Sequence, residues 1–276
     1  MPNDFNQQII DEFRANNGRV GGPFEGGRLL LLTTTGARSG VRHTTPVAYL
    51  PDGGEQVLVI ASAGGAPRHP AWYHNLVANP RVTVESGVFT YEADAVVLTG
   101  ADRDRAFARA AESDPGWAEY QSKTSRIIPV VALREIPGPP NVGAASWGEA
   151  VKLIHDGFRD EFAKIRTEIA ASGPTLGAQL RINCLTACQG LHHHHTGEDQ
   201  MMFPMLGERH PELAPVLERL QEEHEKIAAL LGDLQRVISS EGAEPLAVLA
   251  ETERLTAELE RHLDYEEEQL IPLLDA

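Results

Sequence analysis

Only two cysteines, Cys184 and Cys188, occur in 276 residues, so no disulfide framework of the kind that staples small secreted domains is available. They lie one helical turn apart and read as buried small side chains, with redox pairing as the alternative. No run reaches the roughly 18 apolar residues needed to span a bilayer. The N-terminus, Met1-Pro-Asn-Asp-Phe5, has no basic segment leading into an apolar one, so the chain reads as cytoplasmic. Neither a GxGxxG fingerprint nor a P-loop is present. Positive charge is scarce as well: 24 Lys and Arg stand against 40 Asp and Glu, for a net charge of −16. Through Pro137 there are 13 basic and 15 acidic residues; after it, 11 and 25. The acidic second half argues against nucleic acid or an anionic membrane as a partner, and the near-neutral first half leaves room for a local basic pocket.

What is present suggests two domains, each long enough to bury a core: residues 1–136, a Pro/Gly-rich linker at 137–146 that is partly stiff and short, and residues 147–276. In the first, an amphipathic helix at 5–16 precedes a Gly-rich stretch and the apolar strand starting at Arg28. A turn follows at Gly36-Ala-Arg-Ser-Gly40, then strands at 43–50, 56–62, 82–85, 88–98 and 127–133. Short helices are expected at 72–77 and 102–112. Short sequential strands with few helices predict a small β-barrel, not a βαβ array. The fold class is therefore α+β in two domains, a barrel followed by a four-helix bundle.

The bundle half is a two-fold repeat. Leu191-His-His-His-His-Thr-Gly-Glu198 and His262-Leu-Asp-Tyr-Glu266 each hold a His, a Glu four residues on, and a Pro six residues after that Glu, Pro204 and Pro272. A spacing of four returns to nearly the same helix face one turn later. A further histidine precedes each pair: His155 lies 39 residues before His194, and His224 lies 38 before His262. Each half then reads as a helix with one His, a loop, and a helix with His-x3-Glu that a Pro closes. Two halves direct four imidazoles and two carboxylates into one interior, where unpaired carboxylates would be costly. Nitrogen and oxygen donors without thiolate suit iron or manganese. The run His192–His195, taken alone, reads as a solvated face or an adventitious metal binder, and His195 with Asp199 repeats the same spacing. The Pro offset and the match to His262 favour His194. Met201, Met202 and Phe203 read as core.

These residues resemble the hemerythrin-like (HHE cation-binding) family over about 147–276. The resemblance implies an up-down bundle with a non-haem di-iron centre, His155, His194, Glu198, His224, His262 and Glu266 being the metal ligands and the two glutamates bridging. Oxygen-carrying members place a further His one turn after the third-helix histidine; here that residue is Ala228, which points to an open coordination position and reaction at the metal.

In the first domain Arg38 and Arg42 flank the first turn and Arg68 follows the Gly64-Gly65 loop. Glycine turns admit backbone N–H groups to an anion, and guanidinium groups grip phosphate or carboxylate; ordinary surface arginines are the bland reading. Four motifs occur in order: Leu32-Thr-Thr-Thr-Gly-Ala-Arg-Ser-Gly-Val-Arg-His-Thr-Thr-Pro46, Ala61-Ser-Ala-Gly-Gly65, Pro70-Ala-Trp-Tyr-His-Asn-Leu-Val-Ala-Asn-Pro-Arg-Val-Thr-Val84, and Tyr120-Gln-Ser-Lys-Thr-Ser-Arg-Ile-Ile-Pro-Val130. Together they resemble the deazaflavin-dependent nitroreductase family. The resemblance implies a split β-barrel of the flavin-reductase type that dimerises and binds coenzyme F420. Its anionic tail would meet Arg38, Arg42, His43 and Arg68, its ring would lie by Ser62, Gly64, Gly65 and Trp72, and Tyr120 would stand on the substrate side. His43 and Ala63 depart from the family pattern, which keeps FMN or FAD open as the ring.

Together the halves predict an oxidoreductase in which reduced deazaflavin or flavin supports oxygen activation at the di-iron centre. It would act on an organic small molecule or on oxygen, peroxide or nitric oxide. The alternative is an oxygen- or iron-sensing or storage bundle tethered to an independent reductase.

Overall fold

The computed structural model describes residues 3–54, 56–138, 141–240 and 242–275. The chain divides into two compact units, Met1–Gly143 and Ala144–Ala276.

The first unit is a closed six-stranded barrel of antiparallel neighbours in the order β1-β2-β3-β6-β5-β4. Its strands are β1 (Leu29–Thr35), β2 (Arg42–Pro51), β3 (Gln56–Ile60), β4 (Arg81–Ser86), β5 (Phe89–Val97) and β6 (Val130–Glu135). Helix α1 (Asn3–Ala15) precedes β1, α2 (Ala71–Ala78) joins β3 to β4, and α3 (Gly100–Ser113) and α4 (Gly116–Ser122) lie between β5 and β6. The run Leu29-Leu-Leu-Leu32 is apolar without alternation because both faces are covered. Leu30 and Leu32 pack inside with Val59, Val84 and Leu133, while Leu29 and Leu31 pack under Ile9, Ile10 and Phe13 of α1. In β6, Val131 and Leu133 face in, and Val130 and Ala132 pack against Ala106, Phe107 and Ala110 of α3.

Three sequence expectations shift here. The last strand begins at Val130, not Ile127: Pro129 has no N–H to give a ladder, the Ile128 N–H is taken by Gln121 Oε1 at 3.0 Å, and the Ile128 carbonyl accepts from Arg103. Helix α4, which carries Tyr120, has no counterpart in the pattern-based reading. The proposed linker is partly barrel, since Thr90 N donates to the Asn141 carbonyl at 2.9 Å and Val142 bridges Phe89.

The second unit is a bundle of four long helices, α5 (Trp147–Ala171), α6 (Ala178–Gly197), α8 (Ala214–Ser239) and α9 (Pro245–Leu274), with short α7 (Phe203–Arg209) after α6. Each packs on its chain neighbour, and α5 closes against α9. Ser146 caps α5, its hydroxyl accepting from Glu149 N at 3.1 Å. The seam of α8 runs Leu217, Leu220, His224, Ile227, Leu231, Leu234, Ile238, a three-four alternation with the histidine in the apolar stripe. One apolar cluster holds Phe162, Ile165, Leu191, Ile227, Leu259 and both cysteines; another holds Phe203, Leu206, Leu217, Leu220 and Leu270. The histidine layer lies between them. Cys184 and Cys188 are buried, and burial pushes the Cys188 thiol up to about 12. Met201 is exposed, against the core expectation, whereas Phe203 is buried.

The prolines do not close the helices. Between Gly197 and Phe203 the chain forms a π-helical turn, Glu198–Met202, and remains helical through Pro204 to Arg209; Pro272 lies inside α9, two residues before its end. A proline ring clashes with the carbonyl four residues back, here Gln200, and the wider π turn relieves that clash. Among the described residues no helix is long and apolar enough to cross a membrane.

Candidate functional site

In the barrel unit, the β1–β2 turn closes through Gly36 N to the Val41 carbonyl at 2.8 Å and Gly40 N to the Gly36 carbonyl at 2.9 Å, with Gly40 at φ 68°. A side chain at that φ would be strained, which explains the glycine. Asn75 of α2 ties the turn down: its Oδ1 accepts from Ala37 N at 3.0 Å and its Nδ2 donates to Thr34 Oγ1 at 3.1 Å. Arg38 and Arg68 are exposed. Arg42, also exposed, donates to Thr83 Oγ1 at 2.5 Å, and His43 lies against Gly36. Trp72 is 7% exposed among Leu30, Val59 and Val82. Its indole packs in the barrel core, because α2 turns its apolar face, Trp72 and Leu76, inward.

The loop after β3 holds three consecutive left-handed residues, Ala63, Gly64 and Gly65, at φ 48°, 62° and 83°. A Cβ on Gly65 would lie 2.8 Å from the Tyr120 carbonyl and from Lys123 Cβ, so the structure brings Tyr120 and this loop together. Tyr120 is half-buried, edge-on to Trp117, with Lys123 Nζ 5.4 Å from its ring centre. The residue that fixes the loop was not singled out by pattern. Arg126 donates to the carbonyls of Ala66 at 2.8 Å, Ala61 at 3.2 Å and Ser62 at 2.5 Å. It also lies 3.0 Å from His69 Nδ1. A guanidinium only donates, so His69 accepts at Nδ1 and carries its proton on Nε2. Burial and the Arg126 charge hold the His69 imidazole below its ordinary value. Arg126 sits within the quoted Tyr120–Val130 motif; only the fold shows which carbonyls it gathers.

In the bundle unit, His155 comes from α5, His194 and His195 from α6, Glu198 from the first residue of the π turn, His224 from α8, and His262 and Glu266 from α9. The six residues chosen by spacing are brought together, and a seventh, His195, joins them. Three groups have ligand atoms within 4.8 Å of one another: His155, His194 and Glu198; Glu198, His224 and Glu266; and His195, His224 and His262. Glu198 Oε1 is 3.1 Å from His194 Nε2, and Glu266 Oε2 is 3.5 Å from His262 Nε2 and 3.7 Å from His155 Nε2. Ala228 is exposed, so its position does not line this interior, and the opening expected from its missing imidazole is not found there.

A layer of carboxylates holds the imidazoles from behind. Glu267 Oε1 is 3.1 Å from His155 Nδ1, Asp199 Oδ1 is 2.9 Å from His224 Nδ1, and Glu223 Oε2 is 3.1 Å from His262 Nδ1. Each contact turns Nε2 inward, the arrangement that metal-bound histidines use. Arg159 Nη1 donates to Glu267 Oε1 at 2.7 Å. Burial raises the Glu267 carboxyl, but the His155 and Arg159 hydrogen bonds outweigh it and bring it to about 2.

The inward atoms find few partners. No well-formed hydrogen bond reaches Nε2 of His155, His194 or His195 or either oxygen of Glu198 and Glu266, all of them buried, although Glu198 Oε1 stands 3.1 Å from His194 Nε2; His224 Nε2 and His262 Nε2 lie 3.1 Å apart. Burial drives the imidazoles down, His262 to about 4, and the carboxyls up, Glu266 to about 8. Unpartnered buried polar atoms cost about 1–3 kcal/mol each, and cations would satisfy all of them while reversing the carboxyl shifts. Five imidazole nitrogens and two carboxylates without thiolate fit iron or manganese.

The sequence family described as F420H(2)-dependent quinone reductase is matched over residues 6–135, and the hemerythrin HHE cation binding domain over residues 149–274. An F420H(2)-dependent quinone reductase of Mycobacterium tuberculosis is 42% identical over 125 residues, 44% of this chain and 83% of that protein. A solved F420-H2 dependent reductase, FDR-A, is 40% identical with a TM-score of 0.36, covering 39% of this chain and 94% of its own. The chain therefore belongs, through its barrel, to the F420H(2)-dependent quinone reductase family, and it joins to that barrel a hemerythrin HHE cation binding domain.

Proposed function

We propose that the chain is an oxidoreductase that takes reducing equivalents from reduced F420 in its barrel and uses them at a non-haem di-iron centre in its bundle, with oxygen as the final acceptor. The observation that carries this reading is the buried cluster of His155, His194, Glu198, His224, His262 and Glu266, in which Nε2 of His155 and His194 and both oxygens of Glu198 and Glu266 have no well-formed hydrogen bond, on one chain with a deazaflavin-family barrel. In the barrel, Arg38, Arg42 and Arg68 are offered to the anionic tail of the cofactor. The left-handed backbone at 63–65, flanked by the carbonyls that Arg126 gathers, would leave its ring an approach at Gly64, where nothing lies within 4 Å of a Cβ, on the loop that Tyr120 adjoins. Reduced F420, when bound, would supply the hydride, and the protein's part is to hold and orient the ring. A quinone, the acceptor named for the M. tuberculosis relative, is the organic substrate class that kinship favours. Bound iron would supply one-electron redox change and a position for oxygen. Glu267, Asp199 and Glu223 fix the tautomers of the imidazoles that would hold it, and the flanking apolar clusters keep bulk water from the layer.

The test is oxygen uptake by iron-loaded protein given reduced F420, with reduced FMN and FAD in parallel, in wild type and His194→Ala. Uptake fastest with reduced F420 and abolished by the substitution, while quinone reduction continues, is the expected result. Slow uptake that is equal in both proteins, with or without quinone, would refute coupled turnover and leave the bundle as a sensor or store.

A further inference from the structure

We propose that His195 is itself a metal ligand, so that adjacent residues of one helix serve two different ions: His194 with His155 on one, and His195 with His224 and His262 on the other. This rests on the reading above that the centre holds metal, and it assigns a residue that neither the repeat spacing nor the His-x3-Glu pattern selects.

Its burial, ring geometry and ligand distances and the outward turn of Ala228 place it there. His195 is 4% exposed and its Nε2 is buried without a partner; an imidazole retained merely as core would have that nitrogen hydrogen-bonded or would be replaced by an apolar side chain at no loss. Its ring stacks on His224, with centroids 4.1 Å apart and planes 9° apart, and stands edge-on to His262 at 5.1 Å. Ligand atoms of these three residues lie within 4.8 Å of one another. Finally, Ala228 is exposed and offers nothing to the layer, so the third imidazole beside His224 and His262 comes from α6.

The local backbone makes the double use possible. Neighbouring residues of an α-helix diverge by about 100°, and the His194 and His195 rings accordingly stand 5.6 Å apart, directed at two points in place of one. The π turn that begins at Glu198 widens the next turn. It lets Glu198 reach toward both His194, at 3.1 Å, and His224, at 3.6 Å, while Asp199 supports His224 at Nδ1. The two sites are consequently unlike: one would offer three imidazoles to its ion and the other two.

The test uses the full chain loaded with cobalt(II), measuring metal content, affinity and the visible spectrum in wild type, His195→Ala and His193→Ala, whose side chain is exposed. Wild type and His193→Ala bind two ions with one spectrum; His195→Ala retains one ion, holds the second at least 10–100-fold more weakly, and shows an altered spectrum. Two ions at unchanged affinity and spectrum in a folded His195→Ala would overturn the assignment. Fewer than two ions in wild type would instead sink the two-metal reading on which it depends. A measurement on wild type alone guards against a variant that does not fold: the cobalt-loaded chain should give five hyperfine-shifted imidazole sets in its proton spectrum, that of His195 among them, and an unshifted His195 ring would exclude it.

Discussion

Replacing Glu266 with leucine should stabilise the metal-free protein and destabilise the metal-loaded one. Glu266 has no exposed surface, and the hydrogen bond open to its carboxyl is with the equally buried Glu198. Without metal it is a desolvated polar group with little to offset its burial, and a leucine of similar size continues the apolar seam toward Leu263 and Leu270. Removing one unsatisfied buried group is worth about 1–3 kcal/mol, within the range seen when buried ionic groups are replaced by packed hydrophobes. A unit of this size moves ~3–6 °C per kcal/mol, so the chelated variant should melt about 3–18 °C above chelated wild type. With metal present the sign reverses. The variant lacks a carboxylate ligand, and a loss of 10–100-fold in metal affinity or more removes ~1.4–2.7 kcal/mol of binding-linked stability. Thermal unfolding followed by far-ultraviolet circular dichroism, with and without chelator, measures both. A chelated variant that melts below chelated wild type would show that Glu266 supports the fold directly, and the reasoning would fail.

Four further outcomes are expected. Chelating wild type should lower the melting temperature, because metal at a hundred times its dissociation constant contributes about 2.7 kcal/mol; an unchanged transition after complete removal, checked by elemental analysis, would contradict a resident ion. Arg126→Met frees the carbonyls of Ala61, Ser62 and Ala66 and should raise the KM for reduced F420 about tenfold, equivalent to ~1.4 kcal/mol, with bundle metal content unchanged. The same substitution removes the charge that helps depress His69, so the His69 resonance, which titrates below the ordinary histidine value in wild type, should move up; an unmoved midpoint in NMR would deny the contact. Cys184 and Cys188 should resist thiol reagents in the native protein and react on denaturation, since burial opposes thiolate formation, and rapid native labelling of both would require the bundle to open locally.

Much of this was legible in the chain. The Leu29-Leu-Leu-Leu32 run, the short sequential strands and the ordered glycine turns are local signals, and they yielded a barrel. The four-residue His-to-Glu spacing, repeated with a second histidine 38 or 39 residues upstream, named six donors that the fold brings together, because periodicity within a helix defines a face whatever lies opposite. Trp72 shows the complementary limit: an aromatic beside a glycine loop suits a ring-binding site and a core equally, and the direction in which α2 packs is set by the fold.

The sequence by itself determined the two units, the barrel and bundle classes, and the donor chemistry of the layer, since composition and spacing act over a few residues. Tertiary structure decided the rest. Whether His194 or His195 faces the interior depends on the rotation of α6 about its axis and on the π turn before Pro204, and the answer is both. That Glu267, Asp199 and Glu223 stand behind particular imidazoles depends on which helices are neighbours. That Ala228 looks outward depends on the phase of α8 against α9. Each is a relation between segments far apart in the chain, fixed by packing that no local pattern records.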